Sequence, residues 1–206
     1  MYRRAEEYNR MCRLAIEIIV DYDIKEYPLD MNQLCRKMGF NLTPYSAFED
    51  KKDLLLRKSL DGFSNYDDPK IKPTIFFNDM YGDIPPTRIS HTKGHEVKHI
   101  LERDKDDSED DLCDYFSKYL RAPTPYIIFL GITEVTDIIS KFQISYEQAI
   151  YVKKNVMNRI NKYGEKYFEY ELPLLKQLLG DDYDENKIKV IKEGGGANEK
   201  NKNISM

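Results

Sequence analysis

Nowhere in this chain do apolar residues run together for the roughly 20 positions that a bilayer-crossing helix needs, so no membrane partner is expected. Tryptophan is absent, and histidine and cysteine occur three times each in 206 residues. The cysteines, Cys12, Cys35 and Cys113, are scattered and odd in number, which excludes a disulfide framework and reads as reduced thiols in a cytoplasm. Positive charge is in deficit: 32 Lys and Arg against 36 Asp and Glu give a net charge of −4. A general nucleic-acid-binding surface is therefore not expected, and only a local basic helix would permit DNA contact. The N-terminus also lacks the plan of a signal peptide. Glu6, Glu7, Arg13 and Glu17 interrupt its apolar run, and no small-residue cleavage site follows.

What is present reads as a globular chain of mixed class, α+β, with 41% hydrophobic residues to form a core. Ala5, Tyr8, Cys12, Ala15, Ile16 and Ile19 fall at helical spacing and predict an amphipathic first helix. Asp30 is a candidate N-cap for a short helix that stops at Gly39 and leads into extended chain. Residues 72–78, KPTIFFN, predict a strand. A turn-rich stretch, YGDIPPTR, then delivers the chain to a helix expected from about His91 to Glu102. RDKDDSED reads as a solvated loop ending in a helix cap at Ser108. Leu112, Cys113, Phe116, Tyr119 and Leu120 form the apolar face of the helix that follows. From Gly131 on, the pattern is helical. Thr133 or Thr136 would cap one helix and Ser145 the next, with Gln148 at the reciprocal position, as in a helix-turn-helix. A last helix over 163–179 is expected to bend at Pro173, and the residues from Glu193 carry no apolar periodicity. The domain expectation is a first part over 1–130, a helical, helix-turn-helix-like part over 131–180 and a polar, disordered tail over 181–206.

All three histidines lie within nine positions, His91, His95 and His99. His95-Glu96-Val97-Lys98-His99 is H-E-x-x-H, with both imidazoles on one helical face, where they can bind one zinc ion from the same side. Glu96, beside His95 around the helix, would accept a proton from water that the metal acidifies, which is the chemistry of amide hydrolysis. A third ligand is required. His91 is expected to pack or cap near the helix start. The acids after residue 108 suit better, because a separate helix brings them from another direction. Helical geometry puts Glu109 near the middle of the apolar face, Asp110 at its edge and Asp111 outward, and periodicity does not choose between Glu109 and Asp110. Cys113 reads as core. The strand at Thr74–Asn78 is the expected place for an extended substrate segment to add to a sheet.

In their order, these segments resemble the ImmA/IrrE family of zinc metallopeptidases over most of residues 25–160. PLDMNQLCRKMGFNLTPYS is similar to the family's N-terminal helix-to-strand segment and IFFND to its next strand. Arg88 and Thr92 match its Arg and Thr ahead of H-E-x-x-H. DDLCDYFSKYLRAP resembles its second-helix signature, acid-x-x-Ala-Asn-x-Phe-Ala-x-x-Leu-Leu-x-Pro, and DIISKFQISYEQAIYVKKNV its helix-turn-helix-like part. Anchored on Phe116 and Pro123, the resemblance puts the third zinc ligand at Asp110. It implies a zincin-like core with a small β-sheet, a helix-turn-helix-like C-terminal part and a zinc cofactor. It also implies cleavage of a specific protein, a Cro-like repressor of a phage or other mobile element. Two residues depart from the pattern: Lys98 stands where the family has Gly, and Asp110 is one methylene shorter than its Glu. The second reading is a catalytically weak or inactive regulator that uses residues 133–160 to bind DNA or a repressor.

Overall fold

The computed structural model describes residues 2–68, 70–80, 82–103 and 110–191. The described chain is mixed α+β, mostly helical, with one three-stranded sheet. Helix α1 (Tyr2–Asp21) buries Met11, Ala15 and Ile19 completely, one residue every helical turn. In α2 (Met31–Lys37) the Asp30 carboxylate accepts from the amides of Asn32 and Gln33, and the chain leaves through Gly39 at φ +78°, where glycine carries no steric cost. Strand β1 (Asn41–Pro44), a short helix α3 (Lys52–Lys58), strand β2 (Gly62–Asn65) and strand β3 (Thr74–Phe77) follow. β3 is the middle strand, parallel to β1 and antiparallel to β2. It therefore has no free edge. This overturns the expectation that Thr74–Asn78 could accept a further strand; an added strand would pair with β2 or β1.

Helix α4 (Pro86–Glu102) begins five residues before the expected His91. Pro86 sits in its first turn, where the missing N–H is no loss and the fixed φ suits the helix. His91 is thus in the helix body. Helix α5 (Asp110–Arg121) packs along α4, and α6 (Thr124–Phe129), which the sequence did not announce, starts between the two prolines of APTP, with Pro123 as its N-cap residue and Pro125 in its first turn. α7 (Val135–Phe142) and α8 (Tyr146–Tyr163) form the expected pair. The residue capping α7 is Glu134, without a side-chain cap, instead of Thr133 or Thr136. Ser145 caps α8, its Oγ accepting from the Gln148 amide at 3.2 Å. The Gln148 side chain does not reach back; its Oε1 accepts from Arg121 Nη1 at 3.0 Å. α8 ends at Gly164, and Pro173 opens α9 (Leu172–Leu179) in place of bending one long helix. Past α9, single 3₁₀ turns lie at Gly180–Asp182 and Glu185–Lys187, and Tyr167 pairs with Val190. The expected cap at Ser108, the candidate Glu109 and the tail from 192 lie outside the described residues.

A single apolar cluster joins Ile19, Val97, Phe116, Ile138, Val152 and Leu174, from α1, α4, α5, α7, α8 and α9. Phe142 of α7 rests edge-on against Tyr27, with ring centroids 5.3 Å apart. Arg121 is buried between α5 and the α7–α8 connection, where it also donates to the Gln143 carbonyl at 3.2 Å. Burial pushes its guanidinium down to about 10. No helix among the described residues is long and apolar enough to cross a membrane.

Candidate metal centre

α4 and α5 approach closely at Gly94. A Cβ there would overlap Ser117 Oγ and lie 3.1 Å from Ser117 Cβ. Ser117 uses the same closeness to donate to the His91 carbonyl at 2.8 Å. Around this contact the histidines of α4 face the acids of α5. His95 Nε2 and His99 Nε2 converge to 3.1 Å. Asp110 Oδ1 lies 3.7 Å from the first and 3.6 Å from the second, and Cys113 Sγ lies 3.4 Å from His99 Nε2. Ligand atoms of these four residues all fall within 4.8 Å of one another, so the group can hold a metal ion. Cys113, expected only as core, is indeed fully buried, but its sulfur belongs to this cluster.

Asp114, one residue further along α5, organises the ring orientations. Its Oδ1 lies 3.0 Å from His95 Nδ1 and 3.0 Å from His91 Nε2. A carboxylate beside Nδ1 places the His95 proton there and turns the Nε2 lone pair toward the cluster. Burial alone would raise the Asp114 carboxyl. The hydrogen bonds to His91 and His95, with the charges of His91 and Lys118, hold it well below the usual carboxylate range. Burial works against a charged His95, but the Asp114 hydrogen bond and the charges of Glu96, Asp114 and Asp110 outweigh it and raise the imidazole. His91 is thus neither a ligand in this cluster nor a cap; it is the second partner of Asp114. It also lines an open cleft of 710 Å³ with Arg88, Lys118, Gln148 and Tyr151.

Glu96 sits about 100° further round α4 than His95 and faces the sheet, largely buried. Ser64 Oγ on β2 donates to its Oε2 at 2.7 Å. β2 is set there by two contacts. Arg88 forks onto Asp61, with Nη2 to Oδ2 at 2.8 Å and Nε to Oδ1 at 2.7 Å. The next residue, Gly62, lies so near α4 that a Cβ would come within 2.6 Å of the Thr92 methyl and 2.6 Å of the Phe76 carbonyl oxygen. Gly62 and Ser64, two apart on a strand, share the face turned to α4. Lys98, at the position that departs from the family pattern, is fully buried, with its ammonium 3.1 Å from Glu102 Oε2.

The structure thus brings together His95, His99 and Asp110, with Glu96 adjacent on the same helix. Sequence reasoning missed Ser64 and Asp114. Asp114 had a partial signal, one helical turn from Asp110 on the same face of α5, whereas Ser64 had none, because its strand is four residues long and without alternation. No family model matches this chain, and no curated protein matches it.

Proposed function

We propose that this protein is a zinc-dependent endopeptidase with a zincin-like core, in which His95, His99 and Asp110 hold the ion and Glu96 is the general base. The observation that carries this reading is the convergence of two imidazole nitrogens at 3.1 Å with a carboxylate oxygen at 3.6–3.7 Å. Tetrahedral bonds of about 2.0–2.1 Å would hold two such nitrogens about 3.3 Å apart. Mixed nitrogen, oxygen and sulfur donors favour zinc over magnesium or calcium, which take oxygen ligands. When bound, zinc supplies Lewis acidity, polarising a carbonyl and acidifying water.

The chain's own residues supply the rest. Ser64 fixes one oxygen of Glu96 by donating to Oε2 at 2.7 Å. The other carboxylate oxygen takes the proton from water as attack on the peptide carbonyl begins, and gives it to the departing amine. Asp114 keeps His95 in the Nδ1–H form. β2, an edge strand beside α4, offers backbone groups along which an extended segment of substrate aligns. The proposed substrate, on the resemblance noted in the sequence, is a Cro-like repressor of a phage or mobile element.

The second reading, a non-catalytic regulator that binds DNA through α7 and α8, has less support. The outward residues at the start of α8 are Tyr146, Glu147 and Ile150, whereas contacts to phosphates need cations.

Glu96→Gln tests the enzyme reading. It keeps the side chain's size and leaves the three donors in place, so zinc content should stay at that of the wild type. Cleavage of a repressor encoded beside the gene should fall about 10²–10⁴-fold. A variant that holds zinc and cleaves at the original rate removes Glu96 from the mechanism, and wild-type protein that takes up no zinc removes the enzyme.

A further inference from the structure

We infer that Cys113 supplies a fourth ligand, a thiolate that closes the centre and holds the peptidase latent until the sulfur leaves. The inference rests on the metallopeptidase reading and concerns how that site is regulated. A hydrolytic zinc centre keeps three protein ligands and one open position, whereas four protein ligands make a closed site without room for water or substrate. Here four donors already stand together, all within 4.8 Å. Asp110 and Cys113 are three residues apart on α5 and so lie on one face of it. They meet the imidazoles differently: the Asp110 side chain is 55% exposed, and Cys113 is fully buried. The carboxylate thus comes from the solvent side and the sulfur from the protein side. Cys113 Sγ is 3.4 Å from His99 Nε2. Bonds of about 2.3 Å to sulfur and 2.0–2.1 Å to nitrogen would put the two atoms about 3.6 Å apart in a tetrahedral site.

The other two cysteines are not equivalent. Cys12 and Cys35 are buried outside this cluster, and only Cys113 brings its sulfur to the imidazoles. On closing, the Cys113 S–H bond would break, its proton would pass to solvent, and the sulfur would replace the water at the ion's fourth position. Opening reverses this. The metal–sulfur bond would break, the sulfur would take a proton from solvent, and the ion would have a coordination position free for water. Movement of α5 relative to α4 would favour the open state.

Cobalt tests this without relying on turnover. The full chain is stripped with a chelator and reloaded with Co²⁺. The wild type should bind one cobalt and show a near-ultraviolet thiolate-to-cobalt charge-transfer band. Cys113→Ala should keep the cobalt and lose the band, and azide should bind its cobalt at least tenfold more tightly than that of the wild type. Cys113→Ser, closer in size, provides the same comparison if the alanine variant folds poorly. Wild-type protein that binds one cobalt without the band, or variants that keep it, would overturn the thiolate ligand while leaving the metal site intact. Equal azide affinity would overturn the latency. Wild-type protein that binds no cobalt would remove the metal reading and this inference with it.

Discussion

One oxygen of Asp114 meets two imidazoles, those of His91 and His95, each at 3.0 Å. Carboxylates in this position fix a ligand's tautomer and orientation, and losing one typically costs about 10–100-fold in metal affinity. Asp114→Ala should weaken zinc binding by that factor, measured by competition with a chromogenic chelator, without removing any donor of the cluster. The same variant gives a pH signature in metal-free protein. His95 is raised in the folded state, so its contribution is full below about pH 6.5 and fades as pH rises through the folded value. Asp114 is depressed, so its contribution is full above about pH 4 and is lost only in stronger acid. The stability gap between wild type and Asp114→Ala should therefore be wider at about pH 5.5 than at about pH 8.5; the opposite order in urea midpoints would sink the pairing. His95, Glu96 and His99 were legible in the sequence because helical spacing alone puts them in relation. Asp114, Ser64 and the place of Cys113 in the cluster were not, because each depends on which element lies opposite.

Between elements, Gly94 sets how near α5 can come to α4. In an exposed helix, replacing glycine by alanine gains about 1 kcal/mol. Here the new methyl would overlap Ser117 Oγ, and overpacking of this kind costs about 1–3 kcal/mol. Gly94→Ala should destabilise the fold and also spread the donors, lowering zinc affinity. Ser117→Ala removes the overlapped hydroxyl, so the double variant should be less destabilised than the sum of the two single changes. Simple additivity in denaturant unfolding would show that this contact is not what the glycine serves. The sequence placed the start of α4 at about His91, which left Gly94 near the helix entrance instead of in its body, and the partner Ser117 lies on another helix. Pro85 and Pro86 read as turn residues, and nothing local says that the second of them opens a helix. The same holds for Pro173 at α9. β2 and α6, four and six residues long, carry too few positions for a period to declare itself. The rank of β3 as the middle strand is a matter of pairing, which a strand's own composition does not encode.

At the scale of the whole molecule, α1 braces both helices that carry the donors. Arg10 pairs with Glu102 at the end of α4, and Arg4 pairs with Asp111 at the start of α5. Tyr8 stacks at an angle on Tyr115, with centroids 4.6 Å apart. Apolar faces told which residues would be buried, but not that those of α7, α8 and α9 would share one core with α1, α4 and α5. With the donors divided between α4 and α5, a bound ion cross-links two elements that unfolding must separate. Ligand binding to the folded state alone stabilises by RT ln(1 + [L]/Kd), about 2.7 kcal/mol at a free concentration of 100 Kd. Stripped wild-type protein should therefore unfold at a higher temperature as zinc is added, the midpoint climbing with the logarithm of free zinc above Kd. Asp110→Ala should shift that rise to higher zinc, because α5 then holds the ion less firmly. Magnesium at the same concentration should leave the midpoint unchanged, since a nitrogen-rich cluster offers it few of the oxygens it requires. A midpoint indifferent to zinc in calorimetry, with the wild type correctly folded, would mean that the convergence of His95, His99 and Asp110 binds no ion. Equal rises for wild type and Asp110→Ala would instead move the α5 ligand away from Asp110.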